Sequence, residues 1–224
     1  MPTPLTASTT LALALLLAST LCLPTAQAQP EEDPMAMAGN RFRTLSVNEM
    51  TPAQRTLADS ILAGPRTSLG GPFNVLLRSP DLGERVQHLG AYVRFNDSLP
   101  EALREMAIIL TARYWTAEFE WYAHKNAALA AGLDPAIVDA IAEGNRPQAM
   151  SMEEAALFDF CQQLLNDHRI GDETYSNAID VLGEKTIVDI IGTVGYYSMV
   201  AMLLNTDEYP LPDGVAPELQ PPGR

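Results

Sequence analysis

Residues that start and stop helices bracket one apolar segment after another along this sequence, and that punctuation leaves room for little but a helical fold. Thr51-Pro52 opens the first segment: threonine can cap, proline suits the first helical position, Leu57, Ile61 and Leu62 share a face, and Gly64-Pro65 ends it. Ser79-Pro80 opens the next, with Leu82, Val86, Leu89 and Val93 spaced for burial. Ser98, with Glu101 three residues on, reads as a capping box for a helix from about Leu99 to Trp115. Thr116 reads as the cap of a further helix that stops at Gly132. Asp134-Pro135 to Gly144, Ser151/Glu154 into Ala155–Leu165, Asp172 to Leu182 and the long apolar run Ile187–Leu204 complete the series. No stretch alternates β-branched residues as a strand would, and no repeat of solenoid period stands out. The expected fold class is all-α.

The ends read differently. The first 28 residues carry no charged side chain and contain the apolar run Leu11–Leu23, followed by Ala26-Gln27-Ala28. This is the pattern of a secretory signal cleaved after Ala28, since thirteen residues are too short to span a bilayer comfortably. The expected location is therefore periplasmic or secreted. Residues 29–48, which begin Gln-Pro-Glu-Glu-Asp-Pro, read as a flexible acidic linker, and the helical domain is expected over 49–207. From residue 208 the tail carries Pro210, Pro212, Pro217, Pro221 and Pro222, so it is extended or disordered rather than helical. With the leader removed, Cys161 is the remaining cysteine, which excludes an intramolecular disulfide and any Cys-x-x-Cys redox pair. A formal net charge of −14 argues against nucleic acid and anionic membranes as partners.

Candidate chemistry concentrates in Glu118-Phe-Glu-Trp-Tyr-Ala-His124. On a helix Glu120 and His124 lie four residues apart and share a face, so a carboxylate stands beside an imidazole and can fix its tautomer or tune its pKa. Glu105, in the otherwise greasy turn Met106–Leu110, is either at an edge or deliberately buried. The glycine-rich stretch Thr67–Pro72 lacks the strand before it and the Gly-Lys-Ser/Thr after it that a phosphate cradle needs. His88 and His168 are expected to be structural and surface residues.

Arg104-Glu105-Met-Ala-Ile-Ile-Leu110, Ala112-Arg113-Tyr-Trp115, Glu118–His124, Ala130-Ala-Gly-Leu133 and Val194–Val200 with Leu203-Leu-Asn205 resemble the carboxymuconolactone decarboxylase family, whose members include alkylhydroperoxidase D-like (AhpD-like) proteins. The resemblance implies an antiparallel helical bundle that forms homo-oligomers, trimers or hexamers. In the peroxidase branch a Cys-x-x-Cys pair precedes the histidine and a glutamate lies nineteen residues before it. Here Glu105 and His124 match the glutamate and the histidine, while Ala117 and Glu120 stand at the cysteine positions. Thiol-based peroxide reduction needs both a nucleophile and a resolving thiol, so that chemistry is not expected here.

The expectation is a cofactor-free lyase acting on a small cyclic carboxylic acid or lactone. In it His124, Glu120 and Glu105 are catalytic, with Glu120 orienting the imidazole and Glu105 closing the relay. Arg113 offsets the substrate carboxylate, and Trp121 and Tyr196 line the pocket, as Tyr122 and Tyr197 can. Asn205 is expected to cap the last helix. Two alternatives stand beside this reading: a non-catalytic binding or assembly module in which the same cluster is structural, and a divalent-metal site made by His124, Glu120 and Glu105.

Overall fold

The computed structural model describes Met1 and residues 37–66 and 68–220. Apart from Met1, the signal peptide expected over 1–28 lies outside the described residues, as does the chain beyond residue 220. Everything below concerns the unit spanning Glu32–Arg224. Its described residues form α1 (Pro52–Ala63), α2 (Phe73–Leu76), α3 (Pro80–Phe95), α4 (Glu101–Trp115), α5 (Glu118–Ala130), α6 (Pro135–Ala142), α7 (Met152–Gln162), α8 (Asp172–Leu182) and α9 (Glu184–Asp207). A short 3₁₀ turn, Val47–Glu49, precedes α1, a π turn, Gln163–Asp167, extends α7, and no strand occurs among the described residues.

Where the cap is local, these helices begin where the sequence places them. The Thr51 hydroxyl accepts from the Gln54 amide, Asp134 accepts from Ala136, and Ser151 with Glu154 closes a reciprocal capping box. Three expected N-caps are not formed, Asp172 among them, since Gly171 stands at the N-cap of α8 and Asp172 is its first residue. Ser98 does not cap α4; its hydroxyl and amide donate to Asp189 on α9, at 2.6 and 3.2 Å. Thr116 does not cap α5 either, since it is the left-handed residue, φ 48°, that ends α4. The buried side of α3 also differs from expectation: Gly83, Val86, Gln87, Gly90 and Val93 face inward while Leu82 and Leu89 are exposed.

α4 and α9 form the centre and pack most extensively on one another. On one side, Met106, Ile109 and Leu110 of α4 join Trp121, Ile137, Leu157, Phe160, Ile187 and Ile190 from α5, α6, α7 and α9 in one apolar core. On the other, Ile108 joins Leu57, Ile61, Leu76, Val86 and Val93 from α1 to α3 and Tyr196, Tyr197 and Val200 from α9. Full burial of a side chain of this size contributes roughly 1.5–3 kcal/mol, so these two clusters carry the fold. α4 and α5 make an antiparallel hairpin: Ala117 bonds Ala112 at the turn, and His124 faces Glu105 farther along.

Both flanking segments are tied to this body. Within the span read as a linker, the amides of Arg41 and Phe42 donate to the Asp207 carboxylate at the end of α9, at 3.0 and 2.7 Å, and Asn74 donates to the Phe42 carbonyl. The tail is extended, as its prolines require, and it returns to α5. There the amides of Glu218 and Leu219 donate to Glu118, and Leu219 is buried in the first core.

Candidate active site

A cavity of about 470 Å³ opens between the ends of α3 and α9, the face of α5 and the loop that follows α1. The hairpin register sets its chemistry. Glu105, buried within α4, takes the imidazole of His124 across the hairpin, Nδ1 to Oε2 at 2.6 Å. Arg94, in the last turn of α3, donates to the other oxygen of Glu105 at 3.1 Å. The Tyr197 ring meets the imidazole edge-on, with centroids 4.9 Å apart. Four helices thus converge on one imidazole.

Burial alone pushes the Glu105 carboxyl up, but the hydrogen bond from His124 and the charge and hydrogen bond of Arg94 outweigh it and hold the group below its ordinary value. Burial pulls His124 below the ordinary imidazole value, and Glu105 opposes this only in part. The resting pair is therefore an ionised carboxylate and a neutral imidazole. A carboxylate only accepts, so Nδ1 carries the proton and donates it to Glu105, leaving Nε2 as a free base beside the cavity. Arg94 Nη1 also lies 3.3 Å from Nδ1, a close approach of two donors and not a hydrogen bond.

Glu120 lines the same cavity but has a different role from the one its spacing suggests. Both its carboxyl oxygens are buried without a hydrogen-bond partner among the described residues, and burial raises its pKa well above the usual carboxylate range. It makes no hydrogen bond to His124; the orienting contact comes from Glu105. Burial thus favours the protonated acid at Glu120 and the neutral base at His124, one helical turn apart.

Of the remaining expected site residues, Tyr196 lines the cavity and Tyr197 joins it there. Arg113 does not; its guanidinium lies beside Gly144. Trp121 is a core residue whose indole donates to Glu218 at 3.1 Å, because its side of α5 faces the returning tail. Asn205 lies within α9, where its side chain donates to the Trp115 carbonyl instead of capping. Sequence reasoning missed Arg94 and Arg66, whose places in the cavity depend on tertiary packing that leaves no periodic signal. Cys161 is buried in the first core, which pushes its thiol up to about 12 and leaves it without nucleophilic character near neutral pH.

No protein-family model matches the chain, and no curated protein matches it. Among solved structures it is similar to that of a protein of unknown function from Agrobacterium tumefaciens, provisionally described as the antioxidant defence protein AhpD. The TM-score is 0.55 and the identity 14%, over 63% of this chain and 99% of that one. The fold is AhpD-like. At this identity the likeness is one of architecture, and the chemistry rests on this chain's own residues. The candidate residues are Glu105, His124 and Glu120, with Arg94, Arg66, Tyr196 and Tyr197 around them.

Proposed function

We propose that the cavity is the active site of a cofactor-free acid–base enzyme, a carboxymuconolactone decarboxylase-like lyase acting on a small cyclic carboxylic acid or lactone. The observation that supports this reading is the meeting at one cavity of His124, held by Glu105, and a buried Glu120 whose pKa burial raises. Decarboxylation moves the electrons of the C–CO₂⁻ bond into a conjugated carbonyl as carbon dioxide leaves. The resulting enolate then takes a proton at carbon. Glu120 supplies that proton, Arg94 lends positive field to the developing oxyanion, and His124 returns a proton from solvent to Glu120. The neighbour's antioxidant description does not carry over, because Ala117 and Glu120 occupy the positions of the thiol pair and Cys161 is sealed in the core.

The test is carbon dioxide release from a panel of lactone carboxylic acids by the wild-type protein, His124→Gln and Glu120→Gln. Each variant is expected to lose about 10²-fold or more in kcat with its circular dichroism unchanged. Full activity in His124→Gln sinks the reading. Collapse of the fold in that variant favours the alternative of a non-catalytic module, which the clasp of α3, α4, α5 and α9 by Arg94, Glu105, His124 and Tyr197 also fits.

The reading keeps the protein exported, on the strength of its first 28 residues. It also keeps it a homo-oligomer, associating through the exposed apolar side chains Leu89 and Tyr92 of α3 and Val188 and Ile191 of α9. Sedimentation that finds only monomer excludes that association.

A further inference from the structure

We propose that Arg66 is the carboxylate anchor of the cavity, reading a ligand monoanion side-on through Nε and Nη2 with the Tyr196 hydroxyl as a third donor. The inference deepens the acid–base reading and rests on it only for what happens at the far end of the ligand.

Arg66 lies just past Gly64-Pro65, where the chain leaves α1, and its guanidinium lies 5.0 Å from the centre of the Phe73 ring. Among the described residues its sole hydrogen bond is a long one, Nη2 to the Tyr196 oxygen at 3.3 Å, and its Nε is buried without a partner. No carboxylate lies within ion-pairing distance of it among the described residues. By contrast Arg94 meets Glu105, Arg104 meets Asp97 and Arg146 meets Asp159. In a chain of 28 acidic and 14 basic residues, a guanidinium without a carboxylate at a cavity wall leaves a donor edge for something else. Nε and Nη2 are the two parallel donors that match a carboxylate.

The space for this arrangement is set by a residue that has no side chain. A Cβ at Gly90 on α3 would overlap both the Tyr196 hydroxyl and the Arg66 guanidinium. Charge balance suits a monoanion: Arg94 pairs with Glu105, burial favours the neutral forms of His124 and Glu120, and Arg66 adds one positive charge at the cavity wall. Phe73, Phe95 and Phe119 supply apolar wall for a flat ring between the anchor and the acid–base pair. The ligand class is a planar monocarboxylate.

Calorimetric titration of the full chain with benzoate, and with uncharged benzamide as its control, tests this. Benzoate is expected to bind the wild type and benzamide far more weakly. Arg66→Ala is expected to lose about tenfold or more in benzoate affinity, with Arg66→Lys in between because a point charge cannot make the paired contact. No benzoate binding by the wild type, equal binding of benzamide, or unchanged benzoate affinity in Arg66→Ala overturns the anchor. Should Arg66→Ala fail to fold, Tyr196→Phe gives the readout, and unchanged affinity there together with unchanged affinity in Arg66→Lys overturns it equally. Benzoate bound by His124→Gln as by the wild type separates the two proposals: a failed lactone-acid assay then removes the acid–base reading while the anchor stands on its own data.

Discussion

Both oxygens of Glu120 are buried and without a hydrogen-bond partner among the described residues, and that bears on how stability changes with pH. A group whose folded pKa is raised contributes stability below its unfolded value, near 4.3, and loses it as pH climbs toward the folded value. Between the two values the folded state keeps the proton, at a free-energy cost that grows with pH. Glutamine has the shape and neutrality of the protonated acid without the titration. Glu120→Gln is thus expected to match the wild type in thermal midpoint near pH ~5 and to exceed it by a widening margin toward pH ~9. Parallel midpoint curves across that range would mean that Glu120 is not held protonated. Glu105 and His124 run the other way, since both are depressed, so their stabilisation is present at neutral pH and is lost as pH falls through their folded values. At this scale the sequence was legible wherever a motif carried the residue. Glu105 and His124 followed from their nineteen-residue separation and its family resemblance, while Arg66 and Arg94, meeting the site from other parts of the chain, offered only charge.

The α4–α5 hairpin places these groups, and its turn carries strain. Thr116 sits at φ 48° and ψ 46°, a left-handed conformation that costs a β-branched residue about 1–2 kcal/mol, and its hydroxyl is buried without a partner. Glycine adopts that geometry freely, although it adds freedom to the unfolded chain. Thr116→Gly is expected to raise stability by about 1 kcal/mol, seen as a higher urea midpoint with an unchanged slope. A lower midpoint would show that the threonine side chain contributes packing that outweighs the strain. The same turn explains where element boundaries were hidden. Local devices such as Ser151 with Glu154 are written in adjacent letters and were readable. The start of α4 is served by Asp189 some ninety residues away, and the end of α4 by a threonine where a glycine is the usual signal. Leu82 and Leu89 have helical spacing but lie on the side of α3 away from the core, because Gly83 and Gly90 let that helix approach α1 and α9 closely on its other side.

Across the whole molecule, the apolar pattern conveyed an all-α body, but it could not show that the polar ends return to it. Prolines excluded helix from the tail without saying where an extended chain would lie. A cluster of contacts decides that: Glu118 accepts from the amides of Glu218 and Leu219, Glu218 accepts from the Trp121 indole N–H and pairs with Lys125, and Leu219 enters the core beside them. Because Glu118 and Trp121 lie on the helix that carries Glu120 and His124, the tail braces α5 from its far side. Removing the Leu219 side chain should leave a void under the tail. Leu219→Ala is therefore expected to destabilise by about 2 kcal/mol, at the low end for a buried leucine because an extended terminus can partly collapse into the gap. Trp121 gives a second readout, since solvent reaching its indole shifts tryptophan emission to the red at denaturant concentrations below the main transition. Loss of stability without that early shift would mean that the tail and the bundle unfold as one unit. An unchanged midpoint would mean that the return of the tail contributes nothing to holding α5.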